Sequence, residues 1–133
     1  MITTLCCAVA AVGLHLGSFH LDPYAGAPAL NGFNPGAYVE FSNQVVLGAY
    51  HNSVNRQSVY LAYNWRLGSL GDNTEFALLT GGITGYPLAR VVPLVVPSVR
   101  FALGKNYGLR VAYIPKMPAT QAHVVHFTYE FRF

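Results

Sequence analysis

The sequence predicts an all-β protein, an eight-stranded antiparallel transmembrane β-barrel, and three observations lead there. First, the final segment alternates strictly: His123, Val125, Phe127, Tyr129, Phe131 and Phe133 form one mostly apolar face. Val124, His126, Thr128, Glu130 and Arg132 form the other, so the segment reads as a period-2 strand with one greasy side. Second, the 133 residues are 53% hydrophobic and only 10% charged, against roughly 25% charged in ordinary soluble domains. Third, no run of about 18 apolar residues exists, which excludes a spanning helix. A closed antiparallel barrel reconciles the three, because it pairs every backbone group between strands while presenting apolar side chains to lipid.

Each strand has its own warrant. Leu14–His20 is strand-like but interrupted by Gly17, and Ala37–Ser42 alternates over a short stretch. Val45–Tyr50 follows, then Gln57–Leu67, where Val59, Leu61, Tyr63, Trp65 and Leu67 oppose Ser58, Tyr60, Ala62, Asn64 and Arg66. Thr74–Thr84 is glycine-bearing and less regular; Pro97–Leu103 alternates cleanly. Tyr107–Ile114 sets Tyr107, Leu109, Val111 and Tyr113 against Gly108, Arg110 and Ala112, and His123–Phe133 closes the set. Turn signals separate them: Asp22-Pro23, Asn34-Pro35-Gly36, Gly71-Asp72-Asn73 and Gly104-Lys105-Asn106. The same alternation turns Asn64 and Arg66 inward with Arg100, Arg110, Glu40 and Glu130, a charged plug of the kind small barrels carry. A soluble eight-stranded ligand-binding barrel is the alternative architecture, but it would hold its apolar residues inside and carry more charge.

Residues 12–133 read as a single barrel domain. Residues 1–11 are apolar and contain Ala8-Val9-Ala10, an A-x-A-like cleavage pattern, without the basic stretch of a secretory signal. They are either an atypical or truncated signal segment or the start of the first strand. Cys6 and Cys7 are adjacent and say little about redox compartment. The formal charge of +3 is scattered, which disfavours nucleic acid. His123 and His126 point to opposite faces and cannot share a metal. No zinc spacing, phosphate-cradling glycine loop or nucleophile elbow is present, so neither metal nor cofactor is expected.

From His15 to Phe133 the chain resembles the lipid A palmitoyltransferase family, the small outer-membrane barrel enzymes often called PagP. Four stretches carry the resemblance: Gly48-Ala-Tyr-His-Asn-Ser-Val-Asn-Arg56 with Ala62-Tyr-Asn-Trp65, Phe76–Thr84, Val92-Pro-Leu-Val-Val-Pro-Ser-Val99, and Tyr113-Ile-Pro115. The resemblance implies a monomeric barrel in the outer membrane of a Gram-negative bacterium, moving an acyl chain from a phospholipid to lipid A. Carried over, Ser53 takes the place of the family serine and Asn52 that of its aspartate. Either His15 or His20 takes that of its histidine, and Pro93, Pro97 and Pro115 mark interrupted strands that would admit lipid sideways.

The chain departs from the family at two places. Asn52 can orient an imidazole but cannot stabilise imidazolium as a carboxylate does, a change that costs on the order of 10⁴ in rate in serine proteases. Asp22, two residues after His20, is the nearest replacement charge. Asn64 replaces the glycine at the floor of the family's acyl pocket, so a pocket here should be shorter than a palmitoyl chain. These departures keep a second function class open: a non-catalytic outer-membrane barrel with a structural, adhesive or surface-masking role. On that reading Asn52–Asn55 is only a polar hairpin, and the prolines only end strands.

Overall fold

The computed structural model describes residues 8–133. Cys6, Cys7 and most of the candidate signal segment lie outside the described residues. Eight strands follow one another: β1 (Val9–Leu21), β2 (Phe33–Phe41), β3 (Val45–His51) and β4 (Gln57–Leu70), then β5 (Thr74–Ile83), β6 (Val92–Ala102), β7 (Tyr107–Ile114) and β8 (His123–Arg132). Each pairs antiparallel with its neighbours, and β1 pairs with β8, so the sheet closes into a barrel. Closure removes the free sheet edge around the barrel except where the β6–β7 ladder stops short, the arrangement a β-structure surrounded by lipid needs. No helix of the described residues is long and apolar enough to cross a membrane.

The two ends differ. Residues 42–44, 71–73 and 103–106 make tight turns at one end, where β1 starts and β8 finishes; residues 22–32, 52–56, 84–91 and 115–122 make longer loops at the other. The outer wall is apolar between them: Leu14, Phe19, Leu47, Leu61, Trp65, Val95 and Phe101 are all exposed. Aromatic residues cluster on this wall, with Tyr107 ringed by Tyr129 and Phe131, and Phe19 edge-on to Phe127. This is the face of a transmembrane barrel.

The lumen divides into two layers. Toward the turn end, Glu130 is fully buried beneath Arg110, Arg132 and the Tyr38 hydroxyl. Arg100 Nε lies 2.8 Å from Glu130 Oε1 without a hydrogen-bonding angle. Arg132 also grips Glu75 at 2.8 and 3.0 Å. Glu40 accepts from Asn64 and Arg66, each at 3.2 Å. The alternation had placed Arg66 inside; its side chain is 43% exposed at the barrel end and reaches in only to pair with Glu40. Buried charges persist only when paired in this way. Toward the loop end the lumen is aromatic and aliphatic, with Tyr50, Tyr60, Ile83, Leu94, Val96 and Val124 buried.

Two glycines make room for this interior. A Cβ at Gly13 would lie 2.0 Å from the Tyr38 ring, and one at Gly48 would lie 2.3 Å from the Tyr60 ring. Each tyrosine therefore lies across a glycine of the adjoining strand, which lets a bulky ring lean along a narrow wall.

A bulge in β1 sets which histidines face inward. Register with both β2 and β8 shifts between His15 and Gly17. Leu14 and Leu16 point outward before it, Phe19 and Leu21 after it. The inward set therefore changes parity, and His15 and His20 both reach the interior although they are an odd number of residues apart.

Candidate functional site

At the loop-end rim, the last turn of β1 meets the β3–β4 hairpin. His20 Nε2 lies 2.7 Å from Ser53 Oγ. Ser53 is 9% exposed and His20 half-buried. If the imidazole proton sits on Nδ1, Nε2 accepts the Ser53 hydroxyl proton, the arrangement a general base needs. The hairpin is fastened to the β1–β2 loop, since Asn31 N–H donates to the Ser53 carbonyl at 2.8 Å. Ser18 of β1 donates to Asn34 Oδ1 of β2 at 2.6 Å, and Asn34 Nδ2 donates to the His51 carbonyl at 3.0 Å, at the foot of the hairpin.

Asn52 is fully buried and spends all its capacity on the hairpin, β4 and the β5–β6 loop. Its Oδ1 accepts from the backbone of Val54 and Arg56, each at 3.0 Å, and its Nδ2 donates to Ser58 Oγ and the Gly85 carbonyl, each at 2.9 Å. Two donors and two acceptor sites are therefore filled, and none faces a histidine. Asp22 is also engaged elsewhere. Its carboxylate lies 2.9 Å from Lys116 Nζ. The hydrogen bond and then the charge of Lys116 hold its carboxyl below the usual carboxylate range. Among the described residues no carboxylate contacts His20.

His15 lies deeper, in the lumen, and does not meet Ser53. Its Nδ1 is 2.8 Å from His126 Nε2 and its Nε2 is 2.8 Å from the Tyr60 hydroxyl. The rings of Tyr38 and Tyr50 pack within 5.5 and 4.8 Å of it. His126 and Tyr60 are thus site residues that sequence reasoning passed over. Their inward parity was legible, but nothing along the chain links them to His15.

These rings line a cavity of about 80 Å³. An apolar cavity of about 150 Å³ is enough for one benzene, so this one admits a short apolar segment only. Asn64, Glu40, Arg110 and Glu130 close its floor. Leu94 and Val96 of β6 and Ala112 and Ile114 of β7 form one wall.

That wall contains a seam. The β6–β7 ladder runs from Ala102 with Gly108 to Ser98 with Ala112 and stops. Yet β6 continues along β5 to Val92, and β7 continues along β8 to Ile114. Backbone groups alternate sides along a strand. Ala102 N–H donates toward β5, to Asn73, and Leu103 N–H toward β7, to Tyr107. Odd-numbered residues of β6 therefore address β7, and by the same bond odd-numbered residues of β7 address β6. Pro93, Pro97 and Pro115 all belong to these sets. Extending the register would oppose Pro97 to Tyr113 and Val95 to Pro115, and each pair would lack a donor. Pro97 lies within β6, Pro93 is its second residue, and Pro115 follows the end of β7.

No protein-family model matches the chain, and no curated protein matches it. Among solved structures, the chain is similar to the solution NMR structure of the de novo designed TMB2.3, with a TM-score of 0.60 and 11% identity over 95% of this chain and 96% of that one. The likeness establishes the fold: a closed eight-stranded antiparallel barrel of the transmembrane type.

Proposed function

We propose that this barrel resides in the outer membrane of a Gram-negative bacterium as a monomer and transfers an acyl chain from a phospholipid to lipid A. The 2.7 Å contact between His20 and Ser53 carries this reading. Outer-membrane barrels keep short turns on the periplasmic side and long loops outside, which would put the pair at the outer-leaflet surface. The seam between β6 and β7 opens on the same half of the barrel and is flanked by cavity-lining residues. Irregular backbone at membrane depth is tolerated where it lines a cavity, so an acyl chain has a route inward.

In this scheme Ser53 Oγ attacks the ester carbonyl while His20 Nε2 takes its proton. The lysophospholipid leaves with that proton, and an acyl ester remains on Ser53. A lipid A hydroxyl then attacks the ester and passes its proton to His20, which delivers it to the departing Ser53 Oγ, so that both side chains are regenerated. His20 is the base and His15 is not, because only His20 reaches the serine. Asn52 shapes the hairpin that presents Ser53. The missing carboxylate predicts a slow enzyme, by on the order of 10⁴ relative to a complete triad.

A second reading, a non-catalytic barrel, is favoured by one observation: Asn52 and Asp22 are both occupied away from His20. Mass spectrometry of lipid A from Gram-negative cells expressing the chain behind a competent signal separates the two. Acyl transfer gives a species heavier by one acyl chain that disappears with Ser53→Ala and with His20→Ala. Unchanged lipid A beside a folded, heat-modifiable barrel establishes the scaffold reading.

A further inference from the structure

On the outer wall where β1 and β7 end and β8 begins, a cation sits in an unusual setting. Lys116 has only 16% of its side chain exposed, while its one carboxylate partner, Asp22, is 79% exposed. The ammonium also lies 4.4 Å from the centre of the Tyr24 ring. Beside it, His123 Nδ1 accepts from Lys116 N–H at 3.3 Å and lies 2.7 Å from the Tyr113 hydroxyl. A neutral His123 must then carry its proton on Nε2, and Nε2 has no partner among the described residues. Tyr113 stacks on this imidazole with 16° between the rings.

The loop is built to hold Lys116 in place. Thr120 Oγ1 donates to the Pro115 carbonyl at 3.1 Å and accepts from Met117 N–H at 3.0 Å, and Gln121 N–H closes the turn on the Met117 carbonyl at 2.9 Å. The carboxylate is held less well. Asp22 occupies the left-handed region, φ 49°, where a side chain is tolerated but not favoured. Tyr113 and Tyr24 are both about two-fifths exposed at this level, as in the aromatic belt at a bilayer surface.

We infer that Lys116 and His123 form a lipid-headgroup site that takes a phosphate monoanion or diester on the barrel's outer wall, with the Asp22 carboxylate standing in the anion's place. Lys116 supplies the charge and His123 Nε2–H a second donor. Tyr24 and Tyr113 flank the glycerol region. The site rests on the membrane location above but not on acyl transfer, and is tested without turnover.

The full chain, refolded in lauryldimethylamine oxide micelles that contain no phosphate, is titrated with dihexanoylphosphatidylglycerol. Shifts of the His123 ring and the Lys116 amide are followed by NMR. Binding should weaken by about tenfold in Lys116→Met. It should tighten by about threefold in Asp22→Asn, because the competing carboxylate is gone. His123→Phe, which keeps the stack on Tyr113, should weaken binding as well and serves if Lys116→Met does not fold. Weaker or unchanged binding in Asp22→Asn would make the pair a structural clasp and overturn the site. Equal shifts with dihexanoylglycerol would overturn the phosphate, and equal affinity for inorganic phosphate would overturn the lipid.

Discussion

Replacing Asn52 with aspartate restores on paper the charge that a catalytic histidine wants. The geometry predicts that Asn52→Asp instead loosens the rim. Asn52 is fully buried, and its Nδ2 lies 2.9 Å from the Gly85 carbonyl and 2.9 Å from Ser58 Oγ. Ser58 can rotate its hydroxyl to donate toward a carboxylate. The Gly85 carbonyl cannot, and would face an oxygen of like partial charge. One neutral hydrogen bond is lost, worth about 0.5–1.5 kcal/mol, and one acceptor is left buried without a partner, worth about 1–3 kcal/mol. The sum is a loss of about 1.5–4.5 kcal/mol, partly offset because the Val54 and Arg56 N–H groups favour the ionised form. With a mid-range urea slope of about 2 kcal/mol/M, the unfolding midpoint should fall by roughly 0.8–2.2 M. Urea unfolding in micelles, followed by the heat-modifiable gel shift, measures this. A midpoint unchanged within about 0.3 M, or a gain in lipid A acylation, would refute the assignment of Asn52 as a hairpin strut.

Other consequences follow from the lumen and the rim. Glu130→Gln leaves Arg100, Arg110 and Arg132 without their shared carboxylate, and should cost about 3–5 kcal/mol in the same unfolding assay. Pro97→Val with Pro115→Val supplies the missing donors, so amides around Val95 and Tyr113 should gain protection from hydrogen exchange while any acylation of lipid A falls. Asp22 carries the pH dependence at the rim. Its carboxyl is depressed by Lys116, so the contact's contribution is complete above an ordinary aspartate pKa of about 3.9 and disappears as pH falls through the lower, folded value. NMR of the Asp22 carboxyl and the Lys116 side-chain ammonium should report opening in that acidic window. Donors with progressively longer acyl chains should lose activity once the chain outgrows the cavity above Asn64, read as the acyl length added to lipid A.

The strands were legible because lipid on one side and a packed lumen on the other enforce period 2 nearly everywhere. β7 matches the predicted bounds, and β8 and β5 match to within a residue at one end. The misses have local causes. β1 begins at Val9 and β6 at Val92, earlier than predicted, because unbroken apolar runs carry no alternation to mark a start. β4 runs on to Leu70 through a register shift at Gly68, which breaks the pattern that would have revealed it. The candidate site was legible in part. Ser53 is a candidate on sequence alone and lies beside His20, but the choice between His15 and His20 depended on the β1 bulge, and a one-residue shift of parity leaves no mark in a stretch where Leu14, Leu16, Phe19 and Leu21 are all apolar.

The lumen explains why the rim, and not the interior, is where chemistry could reside. The turn half is locked: a Cβ at Gly108 would lie 2.6 Å from the Arg100 guanidinium, and one at Gly13 would lie 2.0 Å from the Tyr38 ring. No side chain there can retreat to admit a ligand without exposing a buried charge. The loop half is different, because its wall includes β6 and β7 where they share no ladder, and its packing is apolar and replaceable. Stability is thus concentrated at the charged floor, which frees the opposite end to carry an incomplete ladder. The His20–Ser53 contact sits at that freed end, so loosening the seam should change any acylation before it unfolds the barrel.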